Sequence, residues 1–465
     1  MQVSPSRSSI SIDDVRSAVR GRVIGPDDAD YDAARTVMTG GIDRHPIALV
    51  RVADAADVAA VIALAREGGL PLAVKSGGHS LPGHSVVDDG LVIDLHDMKA
   101  LDFDVANRTA WAETGLTAGE YSEAAAEHGL ATGFGDTASV GIGGITLGGG
   151  IGYLVRKHGL TIDSLLAAEI VTADGEILQV DAERYPDLFW AIRGGGGNFG
   201  VATRFQFRLV EMTSFVGGML LLPATGDTLA GFIAAAEAAP EELSTIANVM
   251  PCPPMPFVPE DQHGRLVIMG MMAFAGDVEA GQRALAPFRA LADPIADMVQ
   301  PMPYPGIYGP EPEEEYHPTA IARIMFLDAV DRDVANRIVD ALEASDASMR
   351  VAQFRVLGGA MARVPNDATA FAHRASRIMV AIAAFYEGPD DRIVREAWVE
   401  EVAAALLQGD HGAYVNFLDD EGEERVRAAY PGATWDRLAE IKARYDPTNL
   451  FRLNQNIAPA RPAAS

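Results

Sequence analysis

The segment Val74-Lys75-Ser76-Gly77-Gly78-His79-Ser80 decides the fold, because it ends a strand–helix–strand unit in a glycine loop. Residues 45–52 (HPIALVRV) predict a strand, and residues 54–67 repeat apolar positions at helical spacing before a Gly-Gly pair. A second apolar run, residues 71–74, then enters the loop. Glycine permits positive φ and close approach of the backbone to a ligand. Such a loop is therefore typical either of a tight turn or of a phosphate cradle.

Two more glycine clusters follow, at residues 141–152 and 194–200. The second contains a literal GxGxxG, but it follows a predicted helix, precedes a predicted strand, and meets no acidic residue in 218–222. A dinucleotide fingerprint needs the opposite order and a carboxylate about 20 residues on, so a Rossmann site is excluded. No GxxxxGK[ST] occurs, which argues against a P-loop. Three clusters favour a long ligand with a pyrophosphate, without identifying it.

The remaining pattern predicts an α+β protein with two domains. Asp174-Gly175 predicts a hairpin with a type I′ turn across residues 168–181. From residue 213 onward, strands such as 217–222, 266–274 and 378–385 alternate with alanine-rich helices. Proline-rich stretches at 251–259 and 301–315 predict long loops, and a helix at 435–445 precedes a final tail.

Composition excludes several classes of function. A chain of 465 residues exceeds the usual size of one core. Its 37 basic and 65 acidic residues give a net charge of −28, which favours solubility and excludes nucleic acid as a partner. The single cysteine, Cys252, provides no disulfide framework, and His79 and His84 lack further ligands at zinc spacing, so no metal is expected. Without a signal peptide or a long apolar run, we expect a cytoplasmic protein and no membrane partner.

Four motifs resemble the berberine-bridge branch of the vanillyl-alcohol-oxidase flavoprotein family. They are VKSGGHS at 74–80, TASVGIGGITLGGGIGYLVRKHGLTIDSL at 137–165, LFWAIRGGGGNFGVAT at 188–203, and YDPTNLFRLNQNIAP at 445–459. The resemblance implies a PCMH-type FAD-binding domain made of two parts, residues 1–212 and 405–465. It also implies a substrate-binding domain at 213–404 with a large antiparallel sheet covered by helices.

The resemblance further implies that FAD is the cofactor and that His79 bonds covalently to the flavin. Many relatives form a second bond through a cysteine, but Thr137 occupies that position here, so a single bond is expected. Val140 matches a position at which valine accompanies reaction with oxygen, and Asn454 and Asn456 match the tail motif beside the flavin. The residues predicted to bind the cofactor are Lys75, Ser76, Gly77, Gly78, His79, Ser80, Gly83, His84, Thr137, Val140, Gly141, Gly144, Gly149, Gly152, Val201, Asn454 and Asn456.

The implied reaction moves a hydride from a CH–OH or CH–NH group of a small to mid-sized metabolite to the flavin, and then the electrons to O₂. The family's base is the last tyrosine of a Tyr-x-Asn-Tyr motif, but this chain has Phe417 at that position. Tyr414, Tyr304 and Arg355 are the candidate catalytic residues. Two alternatives stay open: a dehydrogenase with another electron acceptor, and a flavin-binding protein without turnover. The sequence gives neither the substrate nor the oligomeric state.

Overall fold

The protein is described by a computed structural model that covers residues 10–309 and 317–461. The predicted loop at 301–315 therefore lies partly outside the described residues, from residue 310 on. Strands are numbered along the chain. They are β1 Arg22–Ile24, β2 Ala48–Arg51, β3 Leu72–Lys75, β4 Leu91–Asp94, β5 Leu101–Asp104, β6 Thr109–Glu113, β7 Leu130–Ala131, β8 Leu165–Val171, β9 Ile177–Asp181, β10 Val201–Arg208, β11 Val210–Glu211, β12 Val216–Pro223, β13 Leu243–Pro251, β14 Leu266–Phe274, β15 Ala296–Asp297, β16 Gln300–Pro301, β17 Ala320–Leu327, β18 Arg350–Val356 and β19 Ile378–Phe385.

The helices begin at polar caps in several cases, since Ser11, Asp54, Thr117, Asp277 and Asp331 accept from N–H groups of the first turn. Within the described residues, no helix is both long enough and apolar enough to cross a membrane. The α-helices are α1 Ile12–Ala18, α2 Tyr31–Arg35, α3 Ala55–Gly68, α4 Ala118–Ala126, α5 Ile142–Gly148, α6 Val155–His158, α7 Pro186–Ala191, α8 Gly226–Ala238, α9 Val278–Arg289, α10 Arg332–Ala344, α11 Ala360–Arg363, α12 Gly388–Leu406, α13 Glu423–Ala429 and α14 Ala433–Tyr445.

The first part of the chain forms two main sheets. A four-stranded sheet has the order β1-β2-β4-β3, in which β2, β4 and β3 are parallel and β1 is antiparallel to β2. An antiparallel five-stranded sheet has the order β5-β6-β10-β8-β9. Helix α3 connects β2 to β3 and packs its apolar face on the first sheet. This is the strand–helix–strand unit that the sequence predicts, and the loop after β3 lies at the carboxyl end of the parallel strands.

The second part forms one eight-stranded antiparallel sheet, in the order β15-β12-β14-β13-β18-β19-β17 with β16 beside β12. Side chains alternate between the two faces of a strand. In β18, Ala352, Phe354 and Val356 join the core beneath α8, α9, α10 and α12, whereas Gln353 and Arg355 point to the opposite face. The predicted α+β class and helix-covered antiparallel sheet are thus confirmed.

The last part of the chain returns to the first domain. Apolar side chains of α13 and α14 share one core with α7 and with Phe199. The chain after α14 is held by Lys442, whose ammonium donates to the carbonyls of Asn198 (2.7 Å) and Phe451 (2.8 Å) and to the Asp446 carboxylate (2.7 Å). The predicted domain limits at 212/213 and 404/405 fall between β11 and β12 and two residues before the end of α12.

Candidate functional site

A cavity of about 480 Å³ lies where the three parts of the chain meet. Its walls come from the loop after β3, the glycine segment before and within α5, the turn at 196–202, strand β18, and the C-terminal segments 414–418 and 451–455. The sequence motifs at 74–80, 137–165, 188–203 and 445–459 all contribute to these walls. Residues far apart in the sequence therefore build one site.

Two glycine loops touch through their backbones at the entrance to this site. A Cβ atom on Gly77 would lie 2.2 Å from the nitrogen of Gly141, and a Cβ on Gly141 would lie 2.2 Å from the nitrogen of Gly77. Ser76 Oγ joins the same contact by donating to the carbonyl of Thr114 at 2.6 Å. Both glycines are needed because no larger residue fits between the loops.

The loop after β3 presents free hydrogen-bond donors. Within the described residues, the backbone N–H groups of Gly77, Gly78, His79 and Ser80 have no acceptor. Unpaired N–H groups that line a cavity form an anion-binding concavity, and a pyrophosphate satisfies such donors.

The C-terminal tail presents the complementary acceptors. The side-chain Oδ1 atoms of Asn454 and Asn456 are buried without a partner, and Asn454 lines the cavity. Open space also faces Gly144 and Gly197, where an added Cβ would meet no atom within 4 Å. Buried donors and acceptors without partners, together with glycine walls, fit a ligand that carries both phosphates and a polar ring, as FAD does.

His79 lies in the wall of the cavity, and its Nε2 is 3.1 Å from Ser139 Oγ. Burial lowers the pKa of His79 below its ordinary value, so the ring is neutral at pH 7. Burial also lowers the pKa of His84 to about 4, and the positive charge of Arg44 contributes to this shift. Both imidazole rings are therefore neutral, and each has one nitrogen with a lone pair.

The structure brings most of the predicted cofactor residues to the cavity and leaves five outside its lining. Lys75 donates its ammonium to the carbonyls of Ala34 and Thr36. Gly83, Gly149 and Gly152 pack against protein atoms, and Asn456 lies behind the wall. The predicted residues that do line the cavity are Ser76, Gly77, Gly78, His79, Ser80, His84, Thr137, Val140, Gly141, Gly144, Val201 and Asn454.

Tyr414 is a predicted catalytic residue, and it does line the cavity although only 1% of its surface is exposed. Its hydroxyl oxygen accepts from the N–H groups of Gly150 (2.9 Å) and Ile151 (3.2 Å) and from Asn416 Nδ2 (2.9 Å). The carbonyl of Ile145 accepts from the same Nδ2 at 3.1 Å, which fixes the orientation of the amide. Burial raises the pKa of Tyr414, and its three N–H donors oppose that shift.

Arg355, also predicted to be catalytic, is 4% exposed and lines the cavity. Its guanidinium pairs with the carboxylate of Asp136 and donates to the side chain of Gln353. The ring of Phe417 lies 4.9 Å from the guanidinium carbon, at cation–π distance. The charge of Arg355 is thus compensated inside the protein.

The structure does not bring Tyr304 to the cavity. Its hydroxyl lies 3.3 Å from that of Tyr308, inside an apolar cluster that includes Tyr153 and Phe215. Burial raises the pKa of Tyr304 well above its ordinary value. The phenol of Tyr304 therefore does not reach the cavity. Because its pKa is raised, it is also poorly suited to act as a base.

Sequence reasoning missed Asp136, Ser139 and Asn416. Asp136 lies one residue before the quoted motif at 137–165 and Ser139 lies within it, so their place in the sequence beside the glycine cluster was visible, but their side-chain partners were not. Within residues 10–309 and 317–461, no group of three or more histidine, cysteine, aspartate or glutamate side chains is placed to hold a metal ion.

Glycine loops with unpaired backbone donors, in a two-part domain beside a large antiparallel sheet, fit an oxidoreductase with a phosphate-bearing cofactor. Comparison with known sequences gives two family matches: residues 46–181 match the family described as "FAD binding domain", and residues 413–458 match "Berberine and berberine like".

Relatives match over nearly the whole chain. The FAD-linked oxidoreductase YvdP of Bacillus subtilis is 34% identical over 95% of this chain and 98% of its own length. The (R)-6-hydroxynicotine oxidase of Paenarthrobacter nicotinovorans is 28% identical over 95% and 97%. The crystal structure of 6-hydroxy-D-nicotine oxidase from Arthrobacter nicotinovorans superposes with a TM-score of 0.85, at 27% identity and with coverage of 95% and 98%.

The chain belongs to the FAD-linked oxidoreductases with a berberine-bridge-like C-terminal segment, and it is an enzyme. The family resemblance of the four motifs and the PCMH-type fold are confirmed. The FAD-binding match covers the glycine loop after β3, and the berberine-like match covers the cavity-lining segments 414–418 and 451–455.

Proposed function

We propose that this enzyme is an oxidase that carries FAD on His79 through one covalent bond. Its substrate is a small to mid-sized metabolite whose CH–OH or CH–NH group is oxidised, and O₂ takes up the electrons. The observation that carries the proposal is the position of His79. It lies in the wall of the same cavity as the unpaired N–H groups of its own loop and the polar side chains of β18. When bound, FAD supplies the hydride acceptor.

The geometry around His79 supports attachment through Nδ1. A neutral imidazole has one nitrogen with a lone pair and one with a hydrogen. Nε2 is engaged by Ser139 Oγ, and Nδ1 has no partner among the described residues. The Ser139 hydroxyl can accept from Nε2–H, and in that tautomer Nδ1 keeps the lone pair that forms the bond. Thr137 supplies no thiol, and Cys252 is buried in the second domain beside Leu221, so we propose a single attachment.

The decisive experiment is intact-mass analysis of the denatured protein, with an absorption spectrum. We expect the polypeptide mass plus one FAD for the wild type, and the bare polypeptide for His79→Ala. Ser139→Ala is expected to show partial incorporation, because the ring loses its hydrogen-bond partner. Colourless wild-type protein without stoichiometric flavin would overturn the proposal.

Oxygen as the acceptor is supported by Val140, which lines the cavity, and by the relatives that are oxidases. Stopped-flow mixing of the reduced enzyme with air-saturated buffer tests it. An oxidase reoxidises rapidly, whereas slow reoxidation would favour a dehydrogenase with another acceptor.

A further inference from the structure

Asp136 is the one carboxylate among the described residues that line the cavity. Its side chain is 21% exposed. Oδ2 pairs with the Arg355 guanidinium, while Oδ1 has only the hydroxyl of Thr137, at 3.4 Å. A contact of that length is weak. Oδ1 therefore keeps strong acceptor capacity toward a ligand in the cavity.

The other polar side chains near β18 do not offer such an acceptor. Arg355 is a cation with donors only. The Tyr414 oxygen already receives three N–H donors, and Phe417 has no polar atom. His84 is neutral and interacts with Arg44 and Asp420 rather than with β18. The chemistry thus leaves Asp136 as the proton acceptor on this side of the cavity.

A chain of hydrogen bonds fixes the position of this carboxylate. Arg355, which holds Oδ2, donates to Gln353, and Gln353 donates to Asn248 Oδ1 at 2.7 Å. Asn248 in turn donates to the carbonyl of Met269 in β14 at 3.3 Å. The Phe417 ring packs on the guanidinium. Phe417 thereby supports the Asp136–Arg355 pair instead of supplying a phenol.

We propose that Asp136 Oδ1 accepts the proton of the substrate's O–H or N–H group, and that it is the catalytic base of this enzyme. The inference deepens the proposed function and rests on it. In this step the O–H or N–H bond breaks and the Oδ1–H bond forms. The C–H bond breaks with loss of hydride to the flavin, a C=O or C=N bond forms, and the proton later leaves Asp136 for water.

The test compares Asp136→Asn with the wild type in two measurements. The first is anaerobic bleaching of the bound flavin by (R)-6-hydroxynicotine, benzyl alcohol and benzylamine. The second is binding of tert-butylammonium, which has no hydrogen on the carbon that carries nitrogen and so cannot be oxidised, followed by its effect on the flavin absorption spectrum. Loss of a general base costs about 10²–10⁴-fold in rate, and loss of a charged hydrogen-bond partner costs about tenfold or more in affinity.

Three further variants exclude loss of folding as the cause. Asp136→Asn with Arg355→Gln removes both charges and should fail as Asp136→Asn does. Asp163→Asn is the matched control, because it also leaves a buried arginine, Arg374, without its carboxylate at 2.7 Å, but Asp163 does not line the cavity. It should bleach and bind as the wild type does. Phe417→Tyr added to Asp136→Asn should restore part of the bleaching rate by supplying a phenol.

The outcomes separate this inference from the proposed function. If Asp136→Asn retains covalent flavin but bleaches and binds at wild-type levels, Asp136 is not the base. If wild-type protein carries flavin that no probe bleaches, the proposed substrate classes fail, and the binding comparison still decides on Asp136. Equal affinity for tert-butylammonium in both proteins, or no binding to either, overturns the inference, because Asp136 Oδ1 is then not an available acceptor in the cavity.

Discussion

Gly77 and Gly141 place two backbones of the site in direct contact, and Asp136 and Arg355 join two distant parts of the chain through an ion pair. The glycines at 77 and 141 were predictable from the sequence, because only glycine allows two backbones to approach so closely. Asp136 was not predictable as a base, because its partner Arg355 lies 219 residues away in the sequence. The absence of a phenol at Phe417 was visible in the sequence, whereas its contact with Arg355 required the fold.

Gly141→Ala is expected to lower both the unfolding temperature and the flavin content. The new Cβ would lie 2.2 Å from Gly77 N and Ser76 Oγ, so the two loops must separate. Gly306→Ala is the control, since its Cβ would meet Met302 only at 3.5 Å or more, an ordinary van der Waals distance, and Gly306 does not line the cavity. Thermal unfolding and the ratio of flavin to protein absorbance measure both effects. Equal unfolding temperatures for the two variants would contradict the close-contact argument.

Buried histidines make the fold sensitive to acid. Burial lowers the pKa of both His84 and His158 to about 4 in the folded protein, against about 6.5 in the unfolded chain. Between these values the unfolded chain binds the protons and the folded protein does not, so stability falls as pH decreases from 6.5 to 4. Each histidine contributes a slope of up to about 1.4 kcal/mol per pH unit. Urea unfolding between pH 7.5 and 4.5 measures the slope, which His158→Gln should reduce.

The strands were predicted better than the turns between them. Strands β14 and β19 begin and end where the apolar runs do, because each is buried and flanked by turn residues. The hairpin of β8 and β9 was predicted correctly, but the prediction that its turn is of type I′ was wrong. Only Gly175 has a positive φ, whereas type I′ also requires one at Asp174. Thr172 pairs with Glu176 across the turn, so the loop is longer than the two-residue prediction.

Helix α14 depends on a buried ion pair that fixes the tail. Lys442 and Asp446 are both fully buried, and Asp446 also accepts from the N–H groups of Leu450 and Phe451. Asp446→Asn leaves the ammonium without its counter-charge and should lower the free energy of unfolding by about 3–5 kcal/mol. Glu423→Gln removes the exposed pair with Arg427 and should cost less than about 1 kcal/mol. Denaturant unfolding compares them, and similar losses would contradict the role of burial.

The whole molecule is joined by contacts between its two domains. Arg156 of α6 donates to the carbonyls of Ala236, Leu243 and Ala239 in the second domain, and Asp163 pairs with Arg374. The cavity lies at this junction and is lined by residues of all three parts of the chain. The class of fold could be predicted from the sequence pattern. The contacts between the domains could not, because the residues that form them are distant in the sequence.

Flavin is therefore expected to stabilise the entire fold. A ligand that binds only the folded protein raises stability with its concentration. For His79→Ala the unfolding temperature should rise as free FAD is added. For the wild type it should stay constant, because in the proposed enzyme every folded chain already carries its bonded flavin. Differential scanning fluorimetry over a series of FAD concentrations measures this. An unchanged unfolding temperature for His79→Ala would mean that FAD binds the folded protein too weakly to matter.

The return of the C-terminal segment to the first domain also determines when the enzyme can mature during its synthesis. The core around α7 and Phe199 is completed by α13 and α14, more than two hundred residues later in the chain. At roughly 5–20 residues per second, on the order of ten seconds or more of translation separate the two. Throughout that time the ribosome carries a first domain with an open apolar face. The flavin bond proposed for His79 is therefore expected to form after release of the nascent chain, and a chain truncated before α13 is expected to lack bound flavin.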